Sequence, residues 1–190
     1  MLIKHNFKLV QTNREYSCKI RQVNTEKYKP LIKKLESDGI KFYDSRDEMK
    51  EFPEHFQKLE ELDWILDQDI PHPDGIKPTR MPFEQWKKVV LDFYNNSYGV
   101  DIVAVKNEEY IGSTDIEVYP KSEPHKGWTG GLGVIREFRR KGIATALKIK
   151  AIESLLKKGI TEIRTDNEEN NPMYKINVAI GFKPEPFSLE

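Results

Sequence analysis

The spacing of apolar and polar residues changes near residue 100 of this chain. Before that point apolar side chains recur every three or four residues, for example at Leu59, Leu62 and Leu66, which is the spacing of an amphipathic helix. After it, β-branched and aromatic residues form short runs separated by turn residues, which is typical of strands. We therefore predict a mainly helical first half and a second half built around a sheet.

The pattern predicts an alternation of strands and helices along the whole chain. Predicted strands cover residues 16–23, 101–106, 109–119, 128–134 and 161–165. Predicted helices cover residues 26–37, 47–68 with an interruption near Pro53, 82–95, 143–158 and 172–180. A loop dense in proline separates the second and third helices. This order indicates one α+β domain over residues 1–190, with a mixed sheet covered by helices on both faces.

Composition and charge limit the partners that the chain can have. Lysine plus arginine equals aspartate plus glutamate, at 31 each, so no basic excess would draw the chain to nucleic acid or anionic lipid. The first ten residues lack the apolar run of a signal peptide, and no stretch is apolar enough to span a bilayer. The four histidines lack the spacing of metal ligands. We expect a cytoplasmic protein that needs no nucleic acid, membrane or metal.

The clearest chemical signal lies in residues 136–147. Arg-Arg-Lys-Gly at residues 139–142 stands directly before a predicted helix, where free backbone N–H groups and the helix dipole favour an anion. Gly142 lets the backbone approach a ligand, and Ala144 leaves the first helical turn uncovered. The segment predicts a phosphate site, although an exposed basic turn before an ordinary helix has the same local sequence.

Two other nucleotide-binding motifs fail on their spacing. Gly131-Leu-Gly133 begins like a dinucleotide fingerprint, but the third glycine would fall at Arg136, and the surrounding segment is a predicted strand. A Walker loop needs Gly-Lys followed by Ser or Thr, and this tripeptide does not occur. The basic segment therefore belongs to neither class of site.

Arg139-x-x-Gly142-x-Ala144 resembles the Arg/Gln-x-x-Gly-x-Gly/Ala signature of the GNAT superfamily of N-acetyltransferases. The strand end Leu132-Gly-Val134 precedes it at the usual spacing. The family's last block is matched at its spacing by Asn170, Met173, Asn177 and Gly181-Phe182. The resemblance covers residues 101–182 in detail and the earlier part in architecture only. It implies the GNAT fold, in which a mixed, mostly antiparallel central sheet has helices on both faces.

The same resemblance divides the chain into two functional halves. It implies that residues 100–190 bind acetyl-CoA, without a metal, and that residues 1–99 form the substrate side. The strand end would pair with the pantetheine amides, and the loop would hold the pyrophosphate. The cofactor-binding residues that it implies are Leu132, Gly133, Val134, Arg139, Arg140, Lys141, Gly142, Ile143, Ala144, Thr145 and Asn170.

The groups that would move protons depart from the family pattern. Many relatives have a tyrosine acid in the last helix, where this chain has Asn177, which cannot usefully give up a proton but can still donate a hydrogen bond. Tyr174 lies one turn earlier and is either an alternative acid or a packing residue. For the base, Asp115 and Glu117 share one face of a predicted strand, which borders either a cavity or solvent. Asp166 is a further candidate.

Aromatic and acidic residues in the helical half suit a cationic amine. Trp64 and Asp69 are the substrate candidates there, although helix packing and solvated acids give the same pattern. Trp128 is a further substrate candidate. With Thr129 it stands where relatives often carry a glutamate early in the strand that leads to the cofactor, so that glutamate cannot be carried over from the resemblance. The sequence thus predicts transfer of acetyl from acetyl-CoA to a primary amine of a small molecule or peptide, by direct attack, in a monomer or homodimer. A catalytically silent acyl-CoA-binding module is the alternative.

Overall fold

The computed structural model describes residues 13–70, 76–119, 121–168 and 173–186. The strands are β1 (Asn13–Lys19), β2 (Lys41–Asp44), β3 (Val100–Lys106), β4 (Glu109–Glu117), β5 (Lys126–Val134), β6 (Glu162–Glu168) and β7 (Lys183–Pro184). The helices are α1 (Lys29–Ser37), α2 (Ser45–Glu51), α3 (His55–Asp67), α4 (Phe83–Asn96), α5 (Ile143–Lys157) and α6 (Met173–Ile180).

The described strands form one sheet in the order β2-β3-β4-β5-β6-β1-β7. Neighbouring strands are antiparallel except β5 and β6, which run parallel. The predicted mixed, mostly antiparallel sheet is therefore confirmed. β1, the first of the described strands, lies between β6 and β7, so the first and last described strands are neighbours in the sheet.

The parallel pair separates soon after it begins. Its ladder runs from Lys126 opposite Glu162 to Trp128 opposite Arg164, whereas β5 continues to Val134 and β6 to Glu168. Because β4 holds the far edge of β5 and β1 holds the far edge of β6, the two strands leave a V-shaped gap toward their C-terminal ends. Backbone groups that face this gap are available to a ligand.

Helices α5 and α3 cover opposite faces of the sheet. A Cβ on Gly112 would contact Leu147 of α5, whereas a Cβ on Gly133 would contact Leu66 of α3. Gly112 and Gly133 belong to adjacent pairs of the β4–β5 ladder and therefore point to opposite sides. Helix α1 packs on α5, and α2 and α4 pack beside α3. The prediction of helices on both faces is confirmed.

The apolar stripe of α5 forms the centre of the main core. Its predicted members are all buried: Ile143, Leu147, Ala151 and Leu155. They pack with buried residues of the sheet, of α1 and of the C-terminal segment around Phe182. Cys18 lies in the same cluster, where burial raises the pKa of its thiol. The side of the gap next to α5 therefore rests on the closely packed main core.

Several predicted elements differ from the structure. Residues 41–44 form β2, although they lie in the half predicted to be helical. By contrast, the interruption predicted near Pro53 in residues 47–68 is confirmed, since α2 and α3 are separated there because proline cannot continue an established helix. The first strand ends at Lys19, where a 3₁₀ turn begins. In the turn between β3 and β4, Asn107 and Glu108 both have positive φ, as a type I′ turn requires.

None of the helices in the described residues is long and apolar enough to cross a membrane.

Candidate active site

A cavity of about 1010 Å³ lies at the V-shaped gap. Residues 129–134 of β5 and residues 165–167 of β6 line its two strand walls. The first turn of α5 lines one end, and α3 and α6 contribute side chains from the two faces of the sheet. The gap therefore joins free strand edges, a helix N-terminus and side chains of distant elements in one space.

Gly142 shapes the end of the cavity at α5. It is the N-cap of that helix with a φ of +88°, which glycine tolerates and other residues rarely adopt. A Cβ there would lie 2.7 Å from the Leu31 side chain of α1. Residues 143–145 line the cavity, and the first turn of a helix has no intrahelical acceptors for its N–H groups. This end therefore fits a diphosphate group.

Asp69, in the turn after α3, is paired with two arginines of the loop before α5. Its carboxylate accepts hydrogen bonds from Arg136, with Nη2 at 2.5 Å from Oδ1, and from Arg139. These bonds, with the one from Arg136 the largest cause, hold the pKa of Asp69 below its usual range. Arg139 also donates from Nε to the carbonyl of Val134 at 2.8 Å. Helix α3 is thus tied to the predicted phosphate loop.

Asp115 occupies an irregularity in the pairing of β4 with β5. The register shifts between Thr114 and Ile116, and the Gly131 N–H donates to Asp115 Oδ1 at 2.7 Å. A Cβ on Gly130 would lie 2.0 Å from Asp115 Oδ2. The carboxylate can therefore take this position only because residue 130 is glycine, and the bulge directs it into the cavity.

Two acidic side chains of the cavity have pKa values near neutrality. Burial raises the pKa of Asp115 to about 6, opposed by the hydrogen bond from Gly131. Asp63 of α3 accepts a hydrogen bond from Trp86 Nε1 at 3.1 Å. Burial raises the pKa of Asp63 to about 7, and the negative charge of Asp115 adds to the shift. Carboxylates in this range suit general base catalysis at neutral pH.

A third acid lies behind these two on β3. Asp101 is buried and accepts a hydrogen bond from the Tyr94 hydroxyl at 2.8 Å. Burial raises its pKa to about 8, and the charge of Asp115 adds to the effect. The acids of this wall therefore influence one another, because each charge that forms disfavours the next.

Lys148 of α5 reaches the cavity from the opposite face of the sheet. The side chain is 1% exposed, and Nζ donates to Thr129 Oγ1 at 2.9 Å. The ammonium also lies 5.0 Å from the centre of the Phe182 ring. Burial lowers the pKa of Lys148 to about 8, opposed by the charge of Asp115. A cation with this pKa can exchange a proton near neutral pH.

The two candidates in α6 have different surroundings. Asn177 is 2% exposed, lines the cavity and donates from Nδ2 to Asn167 Oδ1 at 2.8 Å. Its Oδ1 atom has no hydrogen-bond partner among the described residues. Tyr174 is 39% exposed, packs its ring 5.5 Å from that of Tyr16 and does not line the cavity. The free group that α6 offers here is thus an acceptor.

The structure brings most of the predicted site residues to this cavity. Those that line it are Trp64, Asp69, Asp115, Leu132, Gly133, Val134, Arg139, Arg140, Gly142, Ile143, Ala144, Thr145 and Asn177. Asp166, the further base candidate, also lines it. Asn170 lies outside the described residues.

Four predicted residues lie outside the lining, and three of these have other partners. Trp128 donates from Nε1 to Glu123 at 2.8 Å. Lys141 donates to the carbonyl of Glu137 at 3.2 Å. Glu117 accepts a hydrogen bond from the Tyr119 hydroxyl. Tyr174 packs beside Tyr16, so none of these four side chains lines the cavity.

Sequence reasoning missed Asp63 and Lys148, although each leaves a recognisable signal. Asp63 stands with Leu59, Leu62 and Leu66 on one helical stripe, at the spacing i, i+3, i+4 and i+7. Lys148 lies three, four and seven positions before the buried residues Ala151, Ile152 and Leu155 of α5, and so on the same helical stripe. A single charge on an apolar stripe indicates that the helix borders a polar cavity, because isolated charges are rarely buried elsewhere.

The sheet is mixed with one splayed parallel pair, and a glycine-capped helix begins beside the gap. Together these features are those of an acyltransferase fold. The chain belongs to the acetyltransferase (GNAT) family, whose model matches residues 50–177. No curated protein matches the sequence significantly.

Solved structures of low sequence identity share this fold. The GCN5-related N-acetyltransferase from Sphaerobacter thermophilus matches with a TM-score of 0.67 and 16% identity, over 97% of this chain and 51% of that one. A tandem GNAT protein from the clavulanic acid biosynthesis pathway matches with a TM-score of 0.60 and 18% identity, over 93% and 51% of the two chains. AAC(6′)-Iy was solved with the bisubstrate analogue CoA-S-monomethyl-acetylneamine. It matches with a TM-score of 0.59 and 17% identity, over 80% of this chain and 96% of that one. The chain spans about half the length of the first two.

Proposed function

We propose that this chain transfers an acetyl group from acetyl-CoA to a primary amine of a small molecule or peptide, by direct attack in a ternary complex. The observation that carries the proposal is the V-shaped gap between β5 and β6. It joins a glycine-capped helix N-terminus, a free strand edge and buried carboxyl groups in one cavity. Its volume of about 1010 Å³ is large enough for two substrates at once.

The cofactor side supplies groups that match the parts of acetyl-CoA. The N–H groups of residues 143–145, with Arg139 and Arg140, would hold the pyrophosphate. The open edge of β5 at residues 132–134 would pair with the amides of the pantetheine arm. Acetyl-CoA then supplies the activated thioester. These contacts hold the acetyl donor in one orientation, which is a large part of catalysis for a reaction between two substrates.

The acceptor side carries a negative charge that suits an ammonium group. Asp63, Asp67 and Asp115 line it, while the cation Arg80 is neutralised by Glu60 at 2.8 Å. Trp64 and Trp86 add aromatic surface. An alkyl amine with a pKa of about 10 arrives protonated, so one of these carboxylates must remove its proton. We assign that role to Asp115, with Asp63 beside it, because the bulge directs Asp115 into the cavity.

The alternative, a silent acyl-CoA-binding module, has weaker support. A binding module needs the phosphate loop and the strand edge, but it does not need ionisable groups in a desolvated wall, which destabilise the fold. Asp63, Asp115 and Lys148 all have pKa values displaced toward neutrality. Ionisable groups whose pKa values are shifted toward neutrality are those that catalysis uses.

Two measurements test the proposal. Calorimetry should detect binding of CoA and acetyl-CoA, and its absence would contradict the cofactor assignment. Incubation with acetyl-CoA and a panel of amines should give a product heavier by one acetyl group in mass spectrometry, with release of free thiol. Since AAC(6′)-Iy was solved with an acetylneamine conjugate, neamine belongs in this panel beside polyamines and lysine peptides. Binding without turnover of any amine would favour the silent module.

The location, oligomeric state and partners of the protein are also part of the proposal, and they rest on the sequence. We propose a cytoplasmic enzyme, active as a monomer or homodimer, that uses neither metal nor nucleic acid. Gel filtration with light scattering would determine the oligomeric state.

A further inference from the structure

The departing CoA sulfur needs a partner that neither predicted acid provides. When the thioester carbon–sulfur bond breaks, the electron pair stays on sulfur as a thiolate, in a cavity with buried polar walls. Tyr174 lies outside the lining, and the unpaired atom of Asn177 is an oxygen that only accepts hydrogen bonds. A proton donor must therefore come from another element.

Lys148 stands at the narrow end of the gap. Its partner Thr129 is the first residue of β5 after the last pair of the ladder with β6. Along α5, Lys148 lies six positions after Gly142, which corresponds to about 9 Å at 1.5 Å per residue. A ligand with its pyrophosphate at Gly142 and its arm in the gap therefore extends toward the Lys148 ammonium.

The ammonium keeps donor capacity for such a ligand. A lysine has three N–H donors, and within the described part of the chain the Lys148 ammonium makes one hydrogen bond, to Thr129. Its other close partner is the face of Phe182. The titratable groups around it are Asp115 of β4 and Cys18 of β1, and neither forms an ion pair with it. Such a buried cation is only partly compensated, and an anion that forms in the gap would stabilise it.

We propose that Lys148 is the proton donor to the leaving thiolate of CoA, an assignment that rests on the proposed acetyl transfer. Asp115 first takes one proton from the acceptor ammonium and passes it to solvent. The neutral amine nitrogen then bonds to the acetyl carbon and gives a second proton to Asp115. The carbon–sulfur bond breaks, and Lys148 Nζ gives one proton to sulfur. Asp115 then releases its proton to solvent and Lys148 takes one up, so the products are the acetamide and CoA thiol.

The pKa values of Lys148 and of a thiol support the same proposal. Burial lowers the pKa of Lys148 to about 8, and a thiol has a pKa of about 8.5. Transfer between groups of matched pKa is nearly balanced in free energy, so the same lysine can lose and regain its proton in each cycle.

The first test measures the thiol of bound CoA directly. We would titrate the far-ultraviolet thiolate absorbance of CoA bound to wild type, to Lys148→Met and to the control Lys150→Met. Lys150 lies on the same helix and pairs with Glu36 at 3.3 Å. A nearby cation should lower the bound thiol pKa by about one unit or more in wild type and in the control. In Lys148→Met burial should raise it above the free value of about 8.5.

The second test follows the pH dependence of turnover. In wild type, kcat should fall as pH rises through about 8, because Lys148 loses its proton there. In Lys148→Met this alkaline limb should disappear, with kcat about 10²-fold lower, at the lower end of general acid catalysis because a thiolate is a fair leaving group.

The outcomes separate the two proposals. Failure of the wild type to bind CoA would overturn the proposed function. Binding and turnover with the same bound-thiol pKa in wild type and Lys148→Met would overturn only the assignment of Lys148. If Lys148→Met does not fold, the wild type alone decides, because a bound thiol with a pKa of 8.5 or above has no cation beside it.

Discussion

Asp115 and Gly130 depend on each other at the scale of single residues. The carboxylate occupies the volume that a Cβ at residue 130 would need, and it accepts the neighbouring N–H of Gly131. The bond fixes the carboxylate while burial raises its pKa to about 6. A base in this state is unprotonated at neutral pH and still has appreciable proton affinity.

Asp115→Asn should separate this positioning from the acid–base role. The amide oxygen can still accept the Gly131 N–H, so CoA affinity and melting temperature should change little. We expect kcat to fall about 10²- to 10⁴-fold and the acidic limb of the pH–rate profile, near pH 6 in wild type, to disappear. Glu117→Gln, two residues further along β4, should leave kcat nearly unchanged. Wild-type turnover in Asp115→Asn would rule out this base.

Gly142 combines a structural and a ligand-binding requirement. Any side chain there meets Leu31 and a positive φ, so both Gly142→Ala and Gly142→Glu should lower the melting temperature, through strain of about 1–3 kcal/mol. The glutamate also places volume and like charge beside the pyrophosphate site. In calorimetry we expect Gly142→Glu to lose CoA binding well beyond the loss in Gly142→Ala. Equal affinities in the two variants would show that the pyrophosphate lies elsewhere.

Helix α3 is the element that connects the two sides of the site. It packs Leu66 on the glycine of β5 at residue 133 and directs Asp63 and Trp64 into the cavity. The turn after it holds Asp69 against Arg136 and Arg139. The helix predicted to recognise the amine thus also contacts the loop predicted to hold the cofactor.

Asp69→Asn should break this connection and change the affinity for CoA in a predictable direction. Without the carboxylate, Arg139 is free for a phosphate and one repulsive charge is removed. We expect CoA to bind about two- to fivefold more tightly at low ionic strength, the size of an exposed ion-pair effect, and the gain to shrink as salt screens the charges. Glu137→Gln removes an equal charge from the same loop and should have a smaller effect. Weaker CoA binding in Asp69→Asn would mean that the ion pair mainly orders the loop.

At the scale of the whole molecule, buried ionisable groups link stability to pH. Asp63 and Asp101 have folded pKa values of about 7 and about 8, above the unfolded value of about 3.9. The folded state therefore binds more protons between these values, and stability falls as pH rises. His55 has a folded pKa of about 4, below its unfolded value of about 6.5. It therefore makes stability rise with pH between these two values and has no further effect above the unfolded value.

The melting temperature should accordingly fall between about pH 6.5 and pH 8, where the two acids dominate. Lys148, with a lowered pKa of about 8, opposes the trend only above that range. Each kcal/mol lost should appear as about 2–4 °C in a chain of this size. Asp101→Asn should flatten the curve in scanning calorimetry at constant ionic strength. A wild-type melting temperature that rises across this range would contradict the charge states assigned to the buried acids.

The conformation of the loop before α5 could be predicted from the sequence because its determinants are local. A glycine at a helix start, preceded by arginines, specifies backbone conformation and charge within a few residues, and the structure has Gly142 at the predicted N-cap. Strand β2 could not be predicted in this way. Its four residues form a strand only because β3 offers them an edge, and tertiary pairing of this kind overrides weak local preference.

What the sequence by itself determined is therefore the fold class, the family and the loop before α5, since periodicity, turn residues and motif spacing carry that information. Only the tertiary structure decided which polar side chains share the cavity. Asp63, Asp115 and Lys148 come from α3, β4 and α5, and their pKa values depend on the burial that these elements create together. From the sequence, Tyr174 and Trp128 were site candidates just as the residues of the cavity were, but packing places their side chains against other partners. Burial and proximity are properties of the assembled chain. A charge on an apolar stripe indicates that a helix borders a polar cavity, but it does not say which side chains meet there.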